Sequence, residues 1–278
     1  MIRASDADTK FECPLDAVVV ATPCYLHAPM AAATLAAGKY IYCEKPVGIT
    51  PEQVASVLAA SRTSKAFLQI GQQLRYVASL RTVIEQLHKG VIGQQYFIRA
   101  NRDSTRLSPE AEAARPAWYR DVKKSGDLIV ENAVHNLDVC NWVGNSRPTS
   151  ACGYGKKYFP TPQPAGTLMM DGFCVVYIYE NDMHPRTLKD LPSGQWYFIM
   201  GQKGTVDLTE GILYGLDGSE PLPFITPEQR GQKEDAMTQF LACIRGDRQP
   251  VADIKVAATA ALTAIVGREV IYRRKSVT

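Results

Sequence analysis

Two stretches of the sequence hold residues whose types and spacing suit proton chemistry. The first is Glu44-Lys45-Pro46, which follows the strand-like run Lys39 to Cys43 and precedes Thr50-Pro51-Glu52, an N-cap, a proline at the first helical position and an acid in the first turn. Lys45 therefore stands at the carboxyl end of a strand, outside which open α/β sheets bind their ligands. A lysine there donates strongly to a hydroxyl or carbonyl oxygen and, partly buried, can relay its proton. The plainer reading is a surface charge whose stem lies along apolar surface. The second stretch, SGDLIVENAVHNLDVCNW, reads as one helix from about Asp127 to Trp142. Glu131 and His135 are four apart and Asp138 three further on, so on a single helix they project within roughly 60° of one another. A carboxylate beside an imidazole can set its tautomer and raise its pKa, which suits a general acid or base near neutral pH. The same spacing fits a solvated Glu–His pair, and a metal half-site would need ligands that the other histidines do not supply.

The elements that must position these residues are legible from punctuation and periodicity. DAVVVATP, from Asp16, is a continuous apolar run suited to a strand buried on both faces, and YLHAPMAAATLAAGK is an Ala-rich helix stopped at Gly38. With YIYCEKP after it this makes a βαβ unit, and a helix from about Pro51 to Thr63 leads to a third strand, AFLQIGQQLRY. His27 opens the first helix, where it caps or packs, and Thr22-Pro23 suits turn chemistry. Beyond residue 75 the rhythm changes. The helix ASLRTVIEQLHKG precedes the strand QQYFIRANRDS, a Pro- and charge-rich loop runs from about Arg106 to Ser125, and after the His135 helix come TSACGYGKKYF, GFCVVYIYEND, QWYFIMG and GTVDLTEG without intervening helices. Two closing helices are expected at about 227–245 and 253–273. The fold class is α/β plus α+β: residues 1–75 form a truncated Rossmann-like parallel sheet, and 76–278 a domain with an open, mainly antiparallel sheet and flanking helices.

Composition narrows the functions. Among 278 residues, 31 Lys and Arg against 28 Asp and Glu give a net charge of +3, too little to suggest a nucleic-acid partner. No apolar run approaches the ~18 residues needed to cross a bilayer, so no membrane partner is expected. Seven cysteines, none in a C-x-x-C pair, fit isolated thiols in a reducing, cytoplasmic compartment and neither a disulfide frame nor a zinc site.

Taken together, DAVVVATP with the following His27, AGKYIYCEKP, GQQLRY, WYRD, the helix through His135 and Asp138, and the ending FLACIRGDRQPVAD resemble the Gfo/Idh/MocA family of NAD(P)-dependent oxidoreductases. The A-G-K-x-x-x-x-E-K-P core is the specific part. The resemblance implies that Lys45 stands beside the nicotinamide of NAD or NADP and the reacting hydroxyl of a sugar or polyol, with His135 and Glu131 assisting proton removal. It implies further that Thr22, Pro23, His27, Glu44 and Lys45 line the dinucleotide crevice, that Arg75, Tyr76, Arg120 and Asp138 lie toward the substrate, and that the chain forms a homo-oligomer, a dimer or tetramer, through its second sheet.

Three departures qualify this. Glu131 stands where the family has Asp, and Cys24 where it usually has Asn. No G-x-G-x-x-G is present, and only ~15 residues precede DAVVVATP where two β-α units require roughly 60. The expectation is a fragment or mis-started product lacking the turn that binds pyrophosphate. In such a chain VVVAT becomes a sheet edge that invites pairing with another chain. The missing turn leaves open a non-catalytic relic or assembly subunit of the same fold, and the resemblance also implies a further alternative, a redox-neutral, NAD-dependent glycosidase.

Overall fold

Alternating strands and helices build the first layer. The structure, a computed structural model, describes residues 15–103, 110–111, 114–158, 170–188 and 194–278. Strands β1 (Ala17–Val20), β2 (Tyr40–Cys43) and β3 (Leu68–Ile70) form a parallel sheet in the order β1-β2-β3, with Val20 beside Cys43 and Cys43 beside Ile70. Helix α1 (Cys24–Ala36) ends as the sequence predicts: Gly38 takes φ +69°, and the N–H groups of Gly38 and Lys39 donate to Leu35 O and Thr34 O. Helix α2 (Pro51–Thr63) opens on Thr50, whose hydroxyl accepts from Gln53 N at 3.3 Å. Among the described residues β1 is an edge strand, and Val19 on it is 56% exposed.

The third strand is shorter than AFLQIGQQLRY suggests. It stops at Ile70, and Gln73–Tyr76 forms a 3-10 turn before helix α3 (Ala78–His88). The turn begins where Gly71 passes Glu44 so closely that a Cβ on Gly71 would lie 2.5 Å from the Glu44 carboxylate.

The second sheet contains β4 (Gln95–Asp103), β5 (Pro148–Lys156), β6 (Gly172–Tyr179), β7 (His184–Leu188), β8 (Gly194–Gly201), β9 (Gly204–Asp207), β10 (Ile212–Gly215) and β11 (Leu222–Pro223), in the order β11-β10-β9-β8-β4-β7-β6-β5. All neighbours are antiparallel except β4 and β7. Alternation sorts its faces: Phe173, Val175, Tyr177, Tyr197 and Ile199 are buried under helices, while Cys174, Val176, Trp196, Phe198 and Met200 are half-buried on the other face. The helical cover is α7 (Val134–Gly144) and α9 (Ile254–Arg273); α9 touches β5, β6 and α7 and also α2 and β3 of the first layer.

Two expectations about helices are corrected. The segment expected as one helix from Asp127 is split into α6 (Leu128–Glu131) and α7. In an unbroken helix the Glu131 carbonyl would accept from the N–H of residue 135; here it accepts from Lys45 Nζ, and the chain turns at Asn132 and Ala133. The closing helix expected from about 227 begins only at Ala236, as α8 (Ala236–Arg245). Asp235 caps it through Thr238 N at 2.6 Å, and Gly231 upstream takes φ +68°. Short helices α4 (Ala117–Arg120) and α5 (Val122–Ser125) occupy the end of the expected loop, whose earlier part lies largely outside the described residues.

Asp127, just before α6, is buried at φ +79° and accepts from Leu128 N, Met170 N and the Tyr272 hydroxyl. Burial outweighs these bonds and pushes its carboxyl up to about 6. A folded pKa above the unfolded one stabilises the fold fully below the unfolded value, and that contribution is lost as pH rises through about 6. Relative to Asp127→Asn, the wild-type chain should therefore lose on the order of 2–3 kcal/mol between pH ~4 and ~7. Urea unfolding of both chains across that range checks the slope.

Candidate active site

The EKP turn leaves the carboxyl end of β2 through a cis Lys45–Pro46 peptide. It is tied to the end of β1 by His27, whose ring nitrogens lie 2.8 Å from Pro46 O and 2.7 Å from Thr22 O. An N–H donates to at least one of these carbonyls, so His27 is a buried clamp that sets Thr22-Pro23 and Glu44-Lys45 side by side. Thr22, Pro23, Glu44 and Lys45 are all half-buried. This is the crevice at the strand ends that the βαβ pattern predicts for a ligand.

Lys45 does not remain a surface charge. Its Nζ donates to Glu131 Oε1 at 2.8 Å and to the Glu131 carbonyl, with side-chain exposures of 15% for Lys45 and 13% for Glu131. The other carboxylate oxygen, Oε2, is buried with no hydrogen-bond partner among the described residues, and the Tyr119 phenol lies against the same carboxylate. Cys24 sits close to both charges, its thiol pushed up to about 12 by burial and by Glu131, so it is an inert thiol at neutral pH.

His135 completes this wall in a way the sequence does not predict. The break between α6 and α7 separates it from Glu131, and no bond joins the two. Its Nδ1 instead faces Gln72 Oε1 at 3.0 Å. The ring is 3% exposed, and burial, then the charges of Lys45, Arg102 and Lys233, push its pKa down to about 3. The expected upward shift is thus corrected: with Glu131 committed to Lys45, cations and burial decide the titration, and His135 is neutral at physiological pH.

The residues expected toward the substrate separate into different places. Arg75 holds Asp138 through paired bonds, Nε–Oδ2 at 2.8 Å and a second N–H to Oδ1 at 2.9 Å, and its guanidinium lies 4.8 Å from the Trp142 ring centre. The pair borders a groove completed by Asn145, Arg147, Lys255 and Thr259. Tyr76 is fully buried and donates to Ile70 O at 3.1 Å, a core position in place of the expected substrate contact. Arg120 is half-buried on α4. Sequence reasoning missed Gln72, Tyr119 and Arg102. Arg102 donates to Asn132 Oδ1 at 2.7 Å beside the helix break and to Gln195 Oε1 at 3.2 Å. Tyr119 lies in WYRD and Gln72 in GQQLRY, but their partners stand far along the chain.

Residues 5–72 match the model of an oxidoreductase family with an NAD-binding Rossmann fold, and residues 80–207 match the Gfo/Idh/MocA C-terminal domain. The chain belongs to the Gfo/Idh/MocA family. Among curated relatives of this Gfo/Idh/MocA chain, the rhizopine catabolism protein MocA of Rhizobium meliloti is 28% identical over 136 residues, 49% of this chain and 40% of that protein. The 1,5-anhydro-D-fructose reductase of Ensifer adhaerens is 29% identical over 251 residues, 86% of this chain and 72% of that protein. Among solved structures, the WlbA dehydrogenase of Bordetella pertussis, in complex with NADH and UDP-GlcNAcA, superposes with a TM-score of 0.76 at 19% identity, over 96% of this chain and 80% of that one. The chain thus spans 40% of the length of MocA, while its fold follows most of WlbA.

The family implies a nicotinamide cofactor, and the residues at the β1 and β2 ends fit one. Thr22 and Lys45 offer donors to the crevice, and beside Lys45 the Glu131 Oε2 is buried with no hydrogen-bond partner among the described residues. A Gly-rich turn for the pyrophosphate has no counterpart among the described residues. Among those residues there is also no cluster of His, Cys, Asp and Glu able to hold a metal, and no helix long and apolar enough to cross a membrane.

Proposed function

We propose that this chain carries the proton-handling and substrate-facing part of a dehydrogenase that moves hydride between NAD or NADP and a CH–OH group of a sugar or polyol. The observation that carries this reading is the placement of Lys45: at the carboxyl end of β2, bound to Glu131 at 2.8 Å, with a neutral, buried His135 close enough to feel its charge. The names of related proteins, an inositol 2-dehydrogenase and an anhydrofructose reductase among them, support the substrate class.

When bound, the nicotinamide supplies the hydride acceptor. The chain's own residues do the rest. Lys45 donates to the substrate oxygen and holds it in line, while Glu131 keeps the ammonium aimed. His135, uncharged, accepts the hydroxyl proton as the carbon–oxygen bond gains carbonyl character. Thr22, Pro23, His27 and Glu44 shape the crevice, and the half-buried apolar face bearing Val176, Trp196, Phe198 and Met200 joins copies of the chain into a homo-oligomer.

Calorimetric titration of the purified chain with NADH and with NADPH, beside light scattering of the same sample, tests the reading. Saturable binding of one dinucleotide and a mass above one chain are expected. A monodisperse monomer would remove the oligomer from the proposal. Absence of binding, both here and in a version extended upstream at the gene, would favour a non-catalytic binding subunit.

A further inference from the structure

Neutral histidine carries one ring proton, and its position decides which nitrogen can act as a base. His135 is buried at 3% exposure, and Lys45, Arg102 and Lys233 add positive charge around it, so the resting ring carries one proton. The single proton must then choose between two nitrogens in different settings. Nδ1 faces the amide oxygen of Gln72 at 3.0 Å, whereas Nε2 has no protein partner among the described residues. Gln72 is itself 1% exposed, and its backbone is fixed at the start of the 3-10 turn, where its carbonyl accepts from Arg75 N at 3.0 Å. An amide oxygen held against Nδ1 accepts a proton and offers none.

We propose that Gln72 is a positioning residue: it holds His135 as the Nδ1–H tautomer and so leaves the Nε2 lone pair as the base that faces the substrate. The Nδ1–H form is the less populated tautomer of free neutral histidine, so the protein must select it. The catalytic consequence rests on the functional reading given above. In that reaction the O–H bond of the substrate breaks as its proton bonds to Nε2, the carbon's hydride leaves for the nicotinamide, and the Nδ1–H stays on Gln72. With Gln72 unable to accept, the proton moves to Nε2 and the reactive nitrogen is blocked in most molecules.

The tautomer can be read without any assay of activity. The chain contains four histidines, and long-range proton–nitrogen correlation spectra of 15N-histidine-labelled protein at neutral pH separate pyrrole-type from pyridine-type nitrogens; His135→Asn assigns the signal. In the wild-type chain His135 should show a pyrrole-type Nδ1 and a pyridine-type Nε2. Gln72→Leu should shift the ratio toward Nε2–H by roughly threefold to tenfold, the effect of losing one buried acceptor, and lower kcat with KM little moved. Gln72→Glu, which keeps an acceptor, should restore the Nδ1–H form. A wild-type His135 found as Nε2–H overturns the proposal, as does a Gln72→Leu ratio equal to that of wild type. If Gln72→Leu does not fold, the wild-type and Gln72→Glu spectra decide. The expected tautomer in a chain that oxidises no sugar or polyol would count against the functional reading alone.

Discussion

Lys45→Met is expected to lower kcat/KM for hydride transfer by roughly 10²- to 10⁴-fold, the range for loss of a positioned proton-handling group. The substitution keeps the length of the stem and removes three donors, leaving Glu131 Oε1 and the Glu131 carbonyl without the partner that now holds both. Because that carbonyl is the one freed by the break between α6 and α7, the helix should become more continuous in the variant and Glu131 should turn away. Lys45→Arg should not rescue the rate, since a planar fork cannot place one cation between a side chain and a main-chain oxygen 86 residues away in the same geometry. Under the proposed function, steady-state kinetics on a sugar or polyol found to be turned over by the wild-type chain, with dinucleotide titration as a control for folding, is the measurement. A loss of less than tenfold would remove Lys45 from the chemistry.

The second large effect is on stability. Arg75→Ala should destabilise the chain by about 3–5 kcal/mol, because it strands a carboxylate that is buried and answered by both arms of one guanidinium. Replacing both partners together, as Arg75→Met with Asp138→Leu, should recover most of the loss, since the deficit comes from an unpaired charge. The two variants also differ in pH dependence. Burial already pushes the Asp138 carboxyl upward and Arg75 opposes it. Without Arg75 the folded pKa rises further above the unfolded value, so the single variant is least disadvantaged at acid pH and its deficit grows as pH rises through that raised pKa. The double variant carries no such slope. Denaturant unfolding of the three chains at pH ~4 and ~7 separates these outcomes.

Much of the first layer was legible because its signals are local. Gly38 ends a helix, Thr50-Pro51 starts one, and a run such as AVVV has few places to go other than a sheet buried by its neighbours. The same punctuation put Lys45 at a strand end, which is where it lies. What the sequence hid depends on partners remote along the chain. The helix after Asp127 has unbroken helical periodicity, yet it breaks at Asn132 and Ala133, where the Glu131 carbonyl accepts from a lysine 86 residues earlier. That one bond also explains why Glu131 and His135, ideally spaced for each other, have different partners. Gln72 and Asp138 are each 63 residues from the groups they bind, and no local pattern marks such a pairing. Tyr76 was misplaced for the opposite reason: its neighbour Arg75 is functional in appearance and half-buried beside the groove, while the 3-10 turn sends the tyrosine into the core.

Helix α9 spans residues Ile254–Arg273, far along the chain, yet it touches α2 and β3 from the start of the chain and α7, β5 and β6 from its middle. Its buried face is largely alanine, including Ala257, Ala258, Ala260, Ala261 and Ala264, so both layers approach its backbone closely. On a ribosome, where earlier segments emerge first and fold as units when they can, neither layer has its full cover until this segment appears. The parallel sheet and the large sheet each wait in the nascent chain with an apolar surface open, and a stall or stop codon before Ile254 would release a product with both surfaces uncovered, a natural client for chaperones.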